Sequence, residues 1–192
     1  ELGYSHFLEH IFFKGTKKRS AFDIAHEIDR VGGRMNAATG KEGTNYYVVV
    51  LDKHADLGLD VLVDIFTNSL FEAKEIETEK NVVLEEIKMY EDTPDALIHD
   101  FFTAITLPGH PLGRPVLGTP DTIKSLTRDR IIAFKNKLYS PDRLLITAAG
   151  HVDHQTVVDA VRPLFEEMKA PHHAIKHVKS GFTSAIDVKT KE

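Results

Sequence analysis

Residues 5–14, SHFLEHIFFK, form a mostly apolar run that nevertheless carries two histidines and a glutamate in the pattern H-x-x-E-H. Their spacing predicts a short helix that stops at Gly15. Residues four apart share a helix face, so His6 and His10 can present their imidazoles to one ion. Glu9 stands beside that face, where it can reach a water at the ion without being a ligand. This is the equipment of zinc hydrolysis, in which the metal acidifies a water and a carboxylate takes its proton. The pattern alone does not decide the matter, because it arises by chance in roughly one chain of this composition in twenty. Two histidines on an apolar helix also suit plain packing.

Catalytic zinc takes three protein ligands and keeps one position open, so a third donor is required. The chain has no cysteine and 11 histidines, which leaves nitrogen and oxygen donors. Residues 72–103 read as a long helix, broken or kinked at Pro94. That helix offers Glu75, Glu77, Glu79, Glu85, Glu86 and Glu91, most of which read as a solvated face. Glu79 and Glu86 are seven apart and therefore lie on one side of the helix. Val82, Val83 and Leu84 between them suggest burial, and a buried carboxylate wants a cation or a metal. Helical position favours Glu86 over Glu85 without settling the choice.

Elsewhere, Ser20 reads as the N-cap of a helix that Gly32 and Gly33 stop. Residues 36–39 look short and turn-like, and TNYYVVVL (44–51) is the best strand. Tyr46 and Tyr47 alternate there, one toward the core and the other free to face a substrate. Asp52 caps a helix reaching about residue 70. Residues 104–119 read as loop, 121–138 as a helix after Thr119-Pro120, 143–149 as a strand, and 153–168 as a helix begun by Asp153. A polar, His-rich stretch (170–181) and a last strand (182–189) follow. The expected fold class is α+β, with a mixed or antiparallel sheet and helices packed on one face. His151 and His154 read as a surface helix start, His172, His173 and His177 as linker, and His99 as a local pair with Asp95. A net charge of −5 and a pI near 6.1 leave no footprint for nucleic acid or an anionic membrane. No apolar run approaches spanning length, and Glu1 reads as internal to a longer protein.

GYSHFLEHIFFKGT (3–16) resembles the signature of the pitrilysin/insulinase zinc peptidases, the inverzincins, in the branch of the mitochondrial processing peptidase β subunit and its bacterial relatives. The resemblance extends through VGGRMNAATGKEGTNYYVVVL (31–51), EKNVVLEEIKMYEDTPDALIHD (79–100), GHPLGRPVLGT (109–119) and YSPDRLLITAAGHVDH (139–154). It implies Zn2+ as cofactor, with His6, His10 and Glu86 as metal ligands, Glu9 as catalytic base and Glu79 as a supporting acid that orients a zinc histidine. It implies an edge strand at Asn36 and Ala37 that binds peptide substrate by strand addition. It implies a zinc-bearing domain over 1–170, incomplete at its first strands, and a linker into the next segment over 171–192. The partner would be a homologous C-terminal domain or subunit, with a dimer left open. That second domain would supply an Arg-Tyr pair that nothing here matches, and loss of such oxyanion donors slows a reaction about 100- to 1000-fold. The expected activity is endopeptidase cleavage of extended or presequence-like peptides, in the bacterial cytoplasm first and the mitochondrial matrix second. The competing reading is a non-catalytic subunit of a processing or respiratory complex that keeps the fold for binding.

Overall fold

The apolar run at the start becomes the most deeply buried helix of the protein. In the computed structural model, which describes residues 1–168, 178–179 and 181–188, α1 (Tyr4–Phe12) leads into α2 (Ala21–Asp29), β1 (Arg34–Thr39) and β2 (Thr44–Val49). Then come α3 (Ala55–Asn68), α4 (Ala73–Glu91), α5 (Pro94–Thr106), α6 (Pro120–Lys124), α7 (Arg128–Leu138) and α8 (His154–Glu167). His172, His173 and His177, with most of the segment 171–192, lie outside the described residues. Phe7, Leu8, Ile11 and Phe12 of α1 are buried together with Ile76, Val83 and Ile87 of α4 and Ile131 and Phe134 of α7. Phe12 sits at the centre of an aromatic group, 5.1 to 6.1 Å from the rings of Phe66, Tyr46, Tyr139 and Phe71.

The start of α1 is located by backbone against backbone. Gly3 (φ +81) and Gly118 (φ +83) approach so closely that a Cβ on Gly3 would lie 2.7 Å from the Leu117 carbonyl oxygen. Only glycine accepts both that conformation and that contact. Other ends follow ordinary capping. The Ser20 hydroxyl accepts from the Asp23 N–H, and the Asp23 carboxylate answers the Ser20 N–H, closing a capping box. Asp153 caps α8 through the Thr156 N–H.

The sheet is antiparallel and pairs β1 with β2 over Arg34↔Val49 to Thr39↔Thr44. Met35, Ala37 and Thr39 share the inner face with Thr44, Tyr46 and Val48, while Asn36, Ala38, Tyr47 and Val49 are exposed. The architecture is thus α+β, with helices against one face of a small antiparallel sheet. Residues 36–39, read from their composition as a turn, are strand. Their small side chains carry little strand propensity, and pairing with the β-branched and aromatic β2 overrides it.

Several boundaries differ from those the sequence suggests. Residues 144–149 and 182–188 join no ladder among the described residues, so neither is a strand here. Leu145, Phe182 and Ile186 are largely exposed. The break expected at Pro94 is present and divides residues 72–103 into α4 and α5, as proline lacks the N–H to continue. The helix expected over 121–138 is two, because Thr127 starts α7 by accepting from the Arg130 N–H. Asp52 opens one 3-10 turn before α3, its Oδ1 accepting from the Lys53 N–H at 2.8 Å, and α3 itself starts after His54 with no side-chain cap. On α4 the buried stripe is Ile76, Glu79, Val83 and Ile87, whereas Val82 faces solvent. Asp95 and His99 are both exposed and form no pair.

A buried polar knot ties the loop after α1 to α3. Asp64, 1% exposed, accepts from Thr16 Oγ1 at 2.7 Å, Arg19 Nη1 at 3.0 Å and Asn68 Nδ2 at 2.7 Å. Burial would push its carboxyl up, but these three donors outweigh burial and hold it below the usual 3.8. A carboxyl depressed in the folded state stabilises the fold above its unfolded value, and loses that contribution as the pH falls through the lower folded value. Asp64→Ala is expected to destabilise the protein by about 3 kcal/mol at neutral pH. In urea melts, the acid-induced loss of stability below pH 3.8 should be shallower in Asp64→Ala than in wild type.

Candidate metal centre

Helix α1 carries His6 and His10 one turn apart, and α4 lies across it with Glu86 facing both. His6 Nε2 is 3.5 Å from Glu86 Oε1, and His10 Nε2 is 3.5 Å from Glu86 Oε2. One donor atom from each residue falls within a group whose members all lie within 4.8 Å of one another. Two donors on a tetrahedral zinc ion with bonds of about 2.1 Å stand about 3.4 Å apart. The spacing of these imidazole and carboxylate groups therefore fits a zinc ion. His6, His10 and Glu86 are also the only group of three or more such donors among the described residues. Neither His151 nor His154 gathers a second set, and His151 Nδ1 instead meets Asp52 Oδ2 at 2.8 Å on the surface.

The second nitrogen of His10 is engaged too. Its Nδ1 lies 3.0 Å from Glu79 Oε2, and Glu79 Oε1 takes Lys14 Nζ at 2.7 Å. Glu79 is 2% exposed, so its charge is buried with a cation on one side and an imidazole on the other. That contact assigns the Nδ1 proton to His10 and turns Nε2 toward Glu86. Glu85 points away and pairs with Lys88 at 2.6 Å, so the structure separates the two adjacent glutamates that sequence position could not.

Electrostatics show how strongly the cluster favours positive charge. Hydrogen bonding to His10 first, and to His6 second, holds the Glu86 carboxyl down at about 2. Glu86 in turn raises His10 above 6.5, against the opposing effect of burial, with Glu79 adding to the rise.

Glu9 lies on α1 beside the donor group and outside it. Its Oε2 accepts a hydrogen bond from Thr39 Oγ1 at the end of β1. Asn36 is exposed on β1, and Ala37 is buried next to it. The Ala37 N–H is taken by Asn36 Oδ1 at 2.9 Å. The outer edge of β1 has no neighbouring strand among the described residues. Tyr46 packs inward and Tyr47 outward, as alternation requires. Burial pushes the Tyr46 phenol well above its ordinary range and raises the Tyr139 phenol as well. Lys14 and Thr39 were not visible as site residues in the sequence. Their contacts lie 65 and 30 positions away along the chain, and no spacing rule links them.

The family model for insulinase, peptidase family M16, matches residues 1–120. The chain belongs to this family. A second model, the M16 inactive domain, matches residues 125–192. The junction between the two matches falls in one continuous core, since Ile123 and Leu126 are buried with α1. An uncharacterized zinc protease of Bacillus subtilis is 50% identical over 157 residues, covering 82% of this chain and 38% of that protein. One of Streptomyces coelicolor is 50% identical over 168 residues, covering 88% and 37%. The crystal structure of a protease from Helicobacter pylori matches with a TM-score of 0.84 at 26% identity, covering 94% of this chain and 44% of that one. This M16 chain thus spans about two fifths of the length of the relatives it matches.

Removing the Glu79 carboxylate tests the outer support of the site. Glu79→Ala is expected to weaken divalent-metal binding about 10- to 100-fold, read by competition against a chromogenic chelator.

Proposed function

We propose that this chain is the metal-bearing part of a zinc endopeptidase, with His6, His10 and Glu86 holding the zinc and Glu9 as general base. The observation that carries this reading is the convergence of two α1 imidazoles and one α4 carboxylate, at spacings that suit a tetrahedral ion, beside a second carboxylate, that of Glu9. Zinc held there supplies Lewis-acid activation of water and polarisation of the scissile carbonyl. Glu9 takes a proton from the attacking water and passes it to the departing amide nitrogen. Glu79 and Lys14 hold His10 in the tautomer that leaves Nε2 for the metal.

The substrates we assign are extended or presequence-like peptides. Supporting this, β1 has an open outer edge among the described residues, and there the Ala37 N–H meets only the neighbouring Asn36 side chain. An incoming strand would displace that amide and take its place, giving main-chain hydrogen bonds at Ala37, which faces the open edge, and freeing the Asn36 side chain to reach the peptide. We assign residues 1–170 to one zinc-bearing unit and 171–192 to the connection beyond it. Because the chain spans only about two fifths of its relatives, the remaining substrate contacts fall to a homologous second domain or partner subunit. We also place the chain in the branch of the mitochondrial processing peptidase β subunit, on the resemblance of residues 3–16 and 31–51 to that branch.

The test uses the full-length protein and internally quenched peptides, with and without a zinc chelator. Hydrolysis is expected to stop on chelation and return with zinc. Glu9→Gln should keep its zinc and lose about 100- to 10,000-fold in kcat. Zinc retained with no hydrolysis by the full-length protein would favour a binding subunit and reject the enzyme.

A further inference from the structure

A glutamate carboxylate rotates easily about its last torsion, which has no sharp minima. A general base therefore needs something to hold it, and on Glu9 that hold comes from the sheet. Thr39 ends β1 and pairs across the hairpin with Thr44, which begins β2. Thr39 Oγ1 donates to Glu9 Oε2, and the two threonine hydroxyls lie 3.1 Å apart. A carboxylate only accepts, so the Thr39 proton is committed to Glu9 and Thr44 must donate to Thr39. Beside Thr44 on β2, Tyr46 packs into the aromatic group of Phe12 and Phe66. The two hydroxyls therefore run in line from Glu9 to the start of β2.

The hairpin that carries these threonines is itself fastened. From its turn, Lys41 Nζ reaches Asp100 Oδ1 at 2.8 Å, Thr103 Oγ1 at 3.2 Å and the Arg114 carbonyl oxygen at 3.0 Å. Thr39 is thus presented to Glu9 from a platform tied to α5 at one end and to the core at the other.

We propose that Thr39 is a positioning residue for Glu9, whose hydroxyl fixes the carboxylate by Oε2 and leaves Oε1 free to exchange a proton with water. This rests on the reading of Glu9 as the general base. A misplacement of about 1 Å in a reacting group lowers a rate about 100-fold, so the loss of one hydroxyl is felt in turnover and not in substrate affinity.

The experiment compares Thr39→Val, which keeps the shape and strand preference of threonine, with Thr39→Ser, which keeps the hydroxyl. In the full-length, zinc-loaded protein, Thr39→Val is expected to lower kcat about 10- to 100-fold, with KM, zinc content and melting temperature unchanged. Thr39→Ser should recover most of the loss. A crystal structure of Thr39→Val should show the Glu9 carboxylate moved from its wild-type place. Wild-type kcat in Thr39→Val, or a Glu9 carboxylate that stays put, overturns the proposal. If the wild-type protein itself fails to hydrolyse peptide, the peptidase reading falls, and the position of Glu9 in the Thr39→Val crystal still decides the role of Thr39.

Discussion

The packing of α1 against α4 is the contact on which the rest of the structure depends. One helix supplies two imidazoles and the other a carboxylate, and apolar side chains hold them together. Phe7, Leu8 and Ile11 on α1 and Ile76, Val83 and Ile87 on α4 are almost wholly buried. Fully burying side chains of this size contributes about 1.5–3 kcal/mol each, against which the desolvation of a few polar groups can be set. The ionisable groups sit on the same helices as these anchors and have no freedom to drift apart. The candidate metal site is a by-product of core packing in this sense, and its geometry is as firm as the core.

The two buried carboxylates, Glu79 and Asp64, are each given partners. Buried charge without a counter-charge is among the most destabilising features a fold can contain. Glu79 lies between Lys14 and His10, and Asp64 among Thr16, Arg19 and Asn68. The first arrangement serves the metal centre, while the second pins the loop that leaves α1. Both link the first 20 residues to helices far along the chain, so the site and the fold are stabilised by the same strategy.

Much of this was legible in the residues. The H-x-x-E-H run announced α1 and two donors, because a helix's four-residue spacing is written in the sequence. The seven-residue interval from Glu79 to Glu86 announced one face of α4, although choosing Glu86 over Glu85 needed the other helix in view. Caps at Ser20 and Asp153 were visible for the same local reason. What escaped notice depends on partners distant in the chain. Residues 36–39 become strand because β2 pairs with them, and residues 144–149 fail to become strand because no described neighbour does. Thr39 and Lys14 acquire their roles from contacts that no local pattern encodes.

The close passage of Gly3 and Gly118 carries a further consequence. Two main chains in contact, with no side chain between them, leave no soft material to absorb an error in distance. Helix α1 is a rigid rod over its nine residues, and its axial position is set at that crossing. A methyl group added there would push the rod along its length, and both imidazoles would travel with it while Glu86 stayed behind. The bite of the candidate metal site is therefore calibrated at a hydrogen-only contact between two loops, by residues outside the donor group.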